Sequence, residues 1–422
     1  MLETTILRKV TWHLLPFLLF LYIICWLDRV NVGFAALQMN QDLGFSASVY
    51  GFGAGVFFAG YALFEIPSNL ILARVGARRW IARIMVSWGL ISTCMMFVHD
   101  TTSFYLLRFL LGVAEAGFLP GILYYLGDWY PGAQRAKAVS WFMAAIPLSI
   151  VVGGPVAGML LGMDGLLGLR GWQWLYLLEG APAFVLGFVV LVWLPDNPAS
   201  VRWLNDTERN WLSGQIHAEQ RLAHERHGLG VRRALLHPTV WALALIMFTC
   251  QSGSYGLTLW LPQIVKGISG VSDLLVGMIS ALPYIAATAG MVLIGANSDR
   301  SGERFLHIAV PSLVAVAGFV ASAWITSPVP ALVALTVAAV GDLGSRGPFW
   351  ALPGRFLTGS AAAGAIALIN TVGSLGGFVG PYAVGLVKDA TGSFTGGLMF
   401  LAGLLFFGAL GTLHLRRAPV FH

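Results

Sequence analysis

Two adjacent charged residues, Asp28 and Arg29, interrupt the apolar run at residues 12–37. A charged side chain at the centre of a bilayer costs at least about 2.5–3.5 kcal/mol on insertion scales, so such residues face polar cavities and mark transport paths. Neighbours on a helix point about 100° apart. We therefore expect Asp28 and Arg29 to take their partners from other helices, in a protein that moves something charged.

A second pair of charges, Arg108 and Glu115, lies seven residues apart in the fourth apolar run. That spacing is two helical turns, which places both side chains on one face about 10 Å apart along the axis. Arginine stays charged and its planar fork fits a carboxylate, whereas a buried carboxyl group can take up a proton. We interpret Arg29 and Arg108 as anion ligands, and Asp28 and Glu115 as proton carriers. The alternative is a set of static salt bridges, which bring little net stability.

A third candidate pair, Asp342 and Arg346, precedes the helix-disturbing Gly347-Pro348 in the tenth apolar run. A spacing of four residues places both charges on one helical face. We hypothesise that Arg346 binds a second carboxylate of the substrate and pairs with Asp342 when no substrate is bound. Trp350, four residues further on, is a candidate for the cavity lining. An intrahelical ion pair without a transport role is the alternative.

The composition indicates which elements must position these residues. Of the 422 residues, 57% are hydrophobic and 10% are charged, and the mean hydropathy is +0.76. A bilayer-spanning helix takes about 20 apolar residues. Twelve such runs are predicted, at residues 12–37, 47–73, 80–98, 103–127, 138–161, 173–194, 239–264, 274–296, 306–326, 331–354, 362–387 and 396–414. A β-barrel would show short alternating segments instead, so the sequence predicts an all-α membrane protein with twelve transmembrane helices.

The basic residues are distributed unevenly between the loops. If the N-terminus is inside, 19 of the 25 Lys and Arg residues lie in inner segments, and the outer loops hold only Arg170, Lys266 and Lys388. The positive-inside rule then predicts that both termini are cytoplasmic. The net charge of +6 is therefore interpreted as a signal for orientation and not for a nucleic-acid partner.

A charged stretch separates two sets of six apolar runs. The predicted organisation is an N-terminal six-helix bundle at 1–195, a cytoplasmic linker at 196–237 and a C-terminal six-helix bundle at 238–422. Within the linker, Asn205 and Glu208 predict a capping box at the start of a short amphipathic helix.

An offset of 226 residues relates the two halves. It separates Gly154-Pro155 from Gly380-Pro381, and Arg74-Val-Gly76-Ala-Arg78 from Arg300-Ser-Gly302-Glu-Arg304. Equal offsets with equal topology indicate parallel, pseudo-symmetric repeats of six helices each.

The loop from Gly295 to Arg304 has the pattern Gly-x-x-x-Asp-Arg-x-Gly-x-Arg, and in this signature the chain resembles the major facilitator superfamily. The first half carries a degraded copy, with Asn69 at the first Gly and Ala73 at the Asp, and Glu65 is a candidate for the missing carboxylate. The resemblance implies gating roles, and not substrate binding, for Glu65, Arg74, Arg78, Asp299, Arg300 and Arg304.

Five stretches are similar to the anion:cation symporter family of that superfamily. They are Leu27 to Gly33, Tyr61 to Pro67, Arg108 to Pro120, Leu257 to Pro262 and Ile366 to Asn370. The resemblance implies uptake of organic anions coupled to protons or sodium. It also implies that Asp28 and Glu115 are protonation sites, that Arg29 and Arg108 bind the anion, and that Tyr61 and Asn370 donate hydrogen bonds to it.

The expected function is import of a small organic anion, a tartrate-like or sugar-acid carboxylate, by proton symport through alternating access. A carboxylate exchanger or facilitator on the same fold and a symporter for aromatic carboxylates are the alternatives, and sodium remains open as the coupling ion. The expected setting is the plasma membrane, the inner membrane of a bacterium, with a monomer whose partners are the substrate, the coupling proton and the lipid bilayer.

Enzyme chemistry is not indicated by the sequence. It contains no Gly-x-x-x-x-Gly-Lys-Ser/Thr loop, no His-Glu-x-x-His and no Gly-x-Ser-x-Gly elbow, which are the motifs of phosphate-binding loops, zinc proteases and serine hydrolases. Cys25, Cys94 and Cys250 all lie in apolar runs, where we expect them to pack. No metal site and no cofactor are expected.

Overall fold

A computed structural model describes residues 2–143, 145–225, 231–357 and 359–421. Its α-helices are α1 Leu2–Leu43, α2 Ala47–Val75, α3 Ala77–Cys94, α4 Thr101–Glu115, α5 Phe118–Gly127, α6 Gly132–Met143, α7 Ala145–Leu161, α8 Gly171–Trp193, α9 Asp206–Glu225, α10 Val231–Leu235, α11 Pro238–Ser269, α12 Asp273–Ser301, α13 Leu306–Trp324, α14 Pro328–Gly344, α15 Arg346–Trp350, α16 Gly359–Thr391 and α17 Thr395–Leu415. No strand occurs in these ranges. Residues 226–230 of the predicted linker lie outside the described residues.

Twelve stretches of these helices are long and apolar enough to cross a membrane, and each overlaps one of the twelve predicted runs. The predicted all-α class with twelve spans is therefore confirmed. Several helices extend beyond their apolar runs. The first, α1, covers Leu2–Leu43 instead of 12–37, because its backbone hydrogen bonding continues through polar residues at both ends.

The sequence predicts one continuous helix for the fourth span, whereas the structure divides it into α4 and α5. It is interrupted between α4 and α5 at Gly117, whose φ of +87° lies in the left-handed region that favours glycine. A Cβ at Gly117 would also lie 2.3 Å from Ser68 Oγ. The Ser68 hydroxyl donates to the carbonyl oxygen of Ala116 at 2.6 Å, which satisfies a backbone group at the break. Glu115 is consequently the last residue of its helix.

The two halves pack their helices in the same pairs. In the first half, α1 packs on α7 and α8, α2 packs on α4, and α3 packs on α4 and α8. In the second half, the helices at the corresponding places pair identically: α11 with α16 and α17, α12 with α14, and α13 with α14 and α17. The protein is thus built from two pseudo-symmetric six-helix bundles, as the 226-residue offset predicts.

An even number of spans puts the two ends of the chain on the same side of the helices. There, Phe421 packs on Phe305 and Phe356, with ring centroids 5.1 and 5.3 Å apart. We call this side the terminal end and the other side the opposite end. The predicted linker helix α9 begins with a capping box, in which Asn205 and Glu208 exchange side chain to backbone hydrogen bonds of 2.9 and 2.8 Å.

The halves contact each other through α2 and α16, α7 and α12, and α1 and α11. Near the opposite end, a Cβ on Gly277 of α12 would lie only 2.1 Å from the carbonyl oxygen of Gly154 on α7. Asp389, near the end of α16, accepts hydrogen bonds from the backbone amides of Ala47 and Ser48 at 2.9 and 2.8 Å. The opposite end is therefore closed by direct backbone approach and by a carboxylate that caps α2.

Candidate functional site

Arg29 of α1 and Glu115 of α4 form a buried ion pair through Nη2 and Oε1. Glu115 is fully buried, whereas 11% of the Arg29 side chain is exposed. The Cys25 thiol also donates to Glu115 Oε1, at 3.3 Å. Glu115 Oε2 and Arg29 Nε have no hydrogen-bond partner among the described residues. Both members of the pair thus retain hydrogen-bonding capacity that a bound anion or a proton would use.

Aromatic rings surround the Arg29 guanidinium. Its Cζ lies 5.1 Å from the ring centroid of Trp26, 5.4 Å from that of Phe57 and 5.3 Å from that of Tyr61, which are cation–π distances. Arg29 Nη1 donates to the hydroxyl of Tyr255 at 3.3 Å. Because Tyr255 belongs to α11, this hydrogen bond joins the first half of the protein to the second.

Asp28 points to a different part of the first half. Its carboxylate accepts hydrogen bonds from Trp88 Nε1 at 2.6 Å and from the Ser92 hydroxyl at 2.7 Å, both on α3, and from Asn31 Nδ2 at 3.4 Å. Asp28 is fully buried. The expectation that Asp28 and Arg29 take partners from different helices is confirmed, and they do not pair with each other.

Arg108 is fully buried, and its guanidinium group donates hydrogen bonds to backbone carbonyl oxygens of α2. Nε donates to the carbonyl oxygen of Gly53 at 3.2 Å and Nη2 to that of Ala54 at 3.1 Å. Its Cζ lies 5.1 Å from the ring centroid of Phe57, the ring that Arg29 also contacts. The structure therefore brings both arginines to Phe57, with only Arg29 directed at Glu115.

In the second half, Arg346 Nη2 contacts both oxygens of Asp342, at 3.2 and 3.3 Å. The same nitrogen donates to the carbonyl oxygen of Cys250 at 2.7 Å. The Arg346 side chain is 14% exposed, against 3% for Asp342. The predicted ion pair is present. Trp350 is 37% exposed and contacts Phe349 edge to face, with ring centroids 5.5 Å apart.

Two further candidates, Glu65 and Asn370, meet across the halves. Glu65 of α2 is buried, and its Oε1 accepts a hydrogen bond of 2.7 Å from Asn370 Nδ2 on α16. Its Oε2 accepts one of 3.2 Å from the Thr371 hydroxyl. Tyr61 lies one turn before Glu65 on the same helix, so α2 links the Arg29 environment to this contact.

The loop with the Gly-x-x-x-Asp-Arg-x-Gly-x-Arg pattern and its degraded copy in the first half, here called the two signature loops, follow corresponding helices. Gly76 and Gly302, at the predicted offset, have φ of +93° and +67° and terminate α2 and α12. In the second loop, Arg304 pairs with Asp299 at 2.6 Å. In the first, Arg78 pairs with Asp196 at 2.8 Å, so the carboxylate beside Arg78 is Asp196 and not the Glu65 suggested by the sequence.

Arg74 and Arg300, the other basic candidates of the signature loops, are exposed at the terminal end. Within the described residues, neither side chain makes a hydrogen bond or an ion pair.

Sequence reasoning missed Tyr255, Trp88 and Ser92. For Tyr255 a signal existed, because it lies 226 residues after Arg29, which is the offset of the repeat. For Trp88 and Ser92 no comparable signal exists. Glu179 of α8 is also buried, and its carboxyl group lies near Asp28 and Asn31.

Comparisons with known proteins agree with this architecture. The family model described as Major Facilitator Superfamily matches residues 18–381. A protein of Agrobacterium vitis named "Putative tartrate transporter" is 54% identical over 99% of this chain and 92% of its own length. A "Quinolone resistance transporter" of Acinetobacter baumannii is 44% identical over 97% of this chain and 94% of its own.

Among solved structures, a bacterial homologue of the human lysosomal transporter Spinster, described as inward-facing and unoccupied, superimposes with a TM-score of 0.78. It shares 19% sequence identity, and the match covers 98% of this chain and 99% of the other. At that identity the likeness concerns the fold alone.

Proposed function

Because this chain belongs to the Major Facilitator Superfamily, we propose that it imports a small organic anion, a tartrate-like or sugar-acid carboxylate, by proton symport through alternating access. Its relatives are transporters, and its twelve spans identify it as a multi-pass protein of the plasma membrane, which in bacteria is the inner membrane. Import of an anion against its gradient then requires the coupling that the buried acids can provide.

The observation that carries this proposal is the ion pair between Arg29 and Glu115. A substrate carboxylate competes with Glu115 for the Arg29 guanidinium, which fits carboxylates in two parallel hydrogen bonds. Once Arg29 turns to the substrate, Glu115 is a buried carboxylate without its cation, and protonation removes that cost. Substrate binding and proton uptake therefore favour each other at the same pair of residues.

The other predicted residues have supporting roles in this mechanism. Arg108 adds a second positive charge behind Phe57, and Asp28 is a second protonation site. Tyr61 lies beside Arg29, and Asn370 becomes available to a substrate when its bond to Glu65 opens. Arg346 and Trp350 contribute from the second half.

Alternating access requires that the two ends open in turn. With cytoplasmic termini, as the distribution of basic residues predicts, the closed opposite end faces outward and the terminal end faces the cytoplasm. The contact of Glu65 with Asn370 and Thr371 then belongs to the inner gate, together with the loops that carry Arg74, Arg78, Asp299, Arg300 and Arg304.

Tartrate-like acids are the first choice of substrate because the relatives named as tartrate transporters match this chain along almost its whole length. Aromatic carboxylates are the second candidate. That candidate is favoured by the rings of Trp26, Phe57 and Tyr61 around Arg29, which would stack on an aromatic substrate as well as on the guanidinium.

Transport by the purified protein in proteoliposomes tests the proposal. We expect an inward proton gradient to drive accumulation of labelled tartrate above its equilibrium level, and a protonophore to abolish the accumulation. Unlabelled sugar acids should compete, and benzoate serves as the aromatic probe. Glu115→Gln should lower gradient-driven accumulation, since the amide cannot take up the proton.

The exchanger alternative predicts a different result from the same vesicles. Tartrate would enter only when a carboxylate is loaded inside, and the proton gradient would have no effect on its accumulation. A sodium gradient in place of the proton gradient distinguishes the coupling ions. Failure of every carboxylate tested to enter would overturn the proposed function.

A further inference from the structure

The second half contains an acid at nearly the same place in the repeat as Glu115. Asp342 lies 227 residues after Glu115, one more than the repeat offset, on the helix that corresponds to α4. Both acids lie in the last turn of their helices, since α4 ends at Glu115 and α14 ends at Gly344. Both are buried, and each pairs with an arginine.

The two arginines come from different helices, and Tyr255 connects them. Arg29 is on α1, and the residue at its repeat position on α11 is Tyr255, whose hydroxyl accepts the hydrogen bond from Arg29. In the second half the cation is instead Arg346, at the start of α15, and it interacts electrostatically with the same tyrosine. One phenol is therefore hydrogen-bonded to the guanidinium group of the first half and within electrostatic range of that of the second half.

Neither ion pair crosses between the halves. Arg29 and Glu115 both belong to the first bundle, and Arg346 and Asp342 both belong to the second. The arginines are the more exposed members, at 11% and 14%, whereas the acids are 0% and 3% exposed. Each arginine also keeps an Nε atom without a partner in the described part of the chain. Each half therefore contributes one partly exposed arginine, and the acid paired with that arginine is more deeply buried.

Asp342 depends on Arg346 for its neutralisation. The groups that face it from α11 are Cys250 and Ser254, whose hydroxyl donates a hydrogen bond to it, and the group from α12 is Tyr284. These thiol, hydroxyl and phenol groups carry no positive charge. If Arg346 turns to an anion, the buried Asp342 carboxylate loses its cation, and taking up a proton removes that cost.

From this pairing we propose that Asp342 and Arg346 form a second anion-and-proton unit equivalent to Glu115 and Arg29, and that the substrate is a dicarboxylate bound by both arginines. The inference rests on the proposed carboxylate symport and specifies its substrate. Each carboxylate of the substrate replaces one acid on its arginine, and each displaced acid takes up one proton. Two negative charges arrive with the substrate and two protons arrive with it, so the net charge of the two units does not change.

The test compares succinate and tartrate, as dicarboxylates, with glycerate, as a hydroxylated monocarboxylate, in proteoliposomes. Arg346→Gln should raise KM for both dicarboxylates at least tenfold more than KM for glycerate, and Arg346→Lys should restore part of the difference. Val337→Ala is the matched control, because Val337 lies on α14 with an exposed side chain. Equal losses for all three substrates would overturn the inference.

Proton stoichiometry provides the second measurement. With the membrane potential clamped at zero, the pH gradient that stops net flux against a fixed dicarboxylate gradient gives the number of protons per dicarboxylate, and we expect Asp342→Asn to lower that number by one while uptake persists. Glycerate transport by the unmodified protein should also use one proton fewer than succinate transport. An unchanged number of protons per dicarboxylate in Asp342→Asn overturns the inference. The proposed symport still stands in that case if Glu115→Gln lowers gradient-driven accumulation. Loss of the proposed function would appear instead as absence of any carboxylate flux in the unmodified protein.

Discussion

Glu65 of α2 and Asn370 of α16 share a 2.7 Å hydrogen bond that joins the two halves of the protein. Thr371 donates to the other carboxylate oxygen of Glu65, so two donors from one helix meet one acid from the other half. Glu65 lies about two-thirds of the way along α2 towards the terminal end. The contact therefore lies between the Arg29 site and that end, where a gate has to open.

Removal of this carboxylate should open the path from the terminal end. In a Cys94→Ser, Cys250→Ala background, Cys25 is the only thiol and its Sγ contacts Glu115. We expect Glu65→Ala to increase the rate at which an impermeant thiol reagent, added on the terminal side, modifies Cys25. The increase should be roughly thirtyfold, since two hydrogen bonds of about 1 kcal/mol each are lost.

Glu65→Gln is the control for that experiment. Its side-chain oxygen can still accept from Asn370 or Thr371, so one of the two bonds survives and the labelling rate should fall between the other two. If Glu65→Ala and the parent label equally fast, the contact does not close the path.

Arg29 and Arg108 should respond differently to the same substitution. Lysine keeps the charge but loses the planar fork, so we expect Arg29→Lys to raise KM for the transported anion at least tenfold. Arg108→Lys should act on stability, because a carbonyl of Gly53 or Ala54 loses its buried donor at a cost of about 1–3 kcal/mol. Thermal unfolding and transport kinetics, measured on both variants, distinguish the two roles. A raised KM with unchanged unfolding in Arg108→Lys would identify Arg108 as an anion ligand.

Asp28 should be needed for accumulation but not for exchange. An amide at this position can still accept from Trp88 and contact Ser92, so Asp28→Asn is expected to fold, but it cannot gain and lose a proton. We expect no accumulation of tartrate under an inward proton gradient, together with preserved exchange of labelled for unlabelled tartrate. Accumulation at the normal rate would remove Asp28 from the coupling mechanism.

The glycine contact near the opposite end should control closure there. A side chain at Gly277 collides with the carbonyl oxygen of Gly154, and overpacking of this kind costs about 1–3 kcal/mol. We expect Gly277→Leu to favour the arrangement open at the opposite end, with faster modification of Cys25 from that side. Gly267→Leu on α11 is the matched control, because no atom lies within 4 Å of a Cβ at that position. Equal rates in the two variants would contradict the assignment.

The contact between the N-terminus and the linker should depend on pH. The Lys9 ammonium beside Glu208, at 2.7 Å, and the backbone amide of Asn205 lower the pKa of the Glu208 carboxyl below its ordinary value of 4.5. Because the pKa is lowered, the contact stabilises the folded arrangement fully above pH 4.5, and this stabilisation is lost as the pH falls through the lowered pKa. Proteolysis of α9 should accelerate over this acidic range, whereas Glu208→Gln should show the faster cleavage at all pH values.

Hydrophobicity made the spans predictable, because every backbone polar group inside a bilayer must be satisfied within a helix. The break at Gly117 was not predictable in the same way, since it depends on the close approach of Ser68 from α2. The divergence of Asp28 and Arg29 followed from helical geometry, but the partners of Asp28 on α3 are set by tertiary packing. Arg108 shows the limit most clearly: an arginine fork fits a ligand carboxylate and a pair of backbone carbonyls equally well, and residue type does not distinguish them.

The repeat offset contained more information about the site than residue types did. It relates Arg29 to Tyr255, which are different residue types. With one residue more, it also relates Glu115 to Asp342. A search for charged residues alone finds the acids and misses the tyrosine. The positions at which two repeats have diverged are therefore the places to search for the groups that make a pseudo-symmetric cavity asymmetric.

The carboxylate of Asp389 binds main-chain amides at the start of α2, and this has a consequence for the balance between conformations. Water can replace both hydrogen bonds when that end opens, so each contributes only about 0.5–1.5 kcal/mol net. Since about 1.4 kcal/mol changes a population ratio tenfold, these bonds bias the closed arrangement by one or two powers of ten. A substrate that binds one arrangement a hundredfold more tightly is then sufficient to offset them, which suits a protein that must reverse its orientation in every cycle.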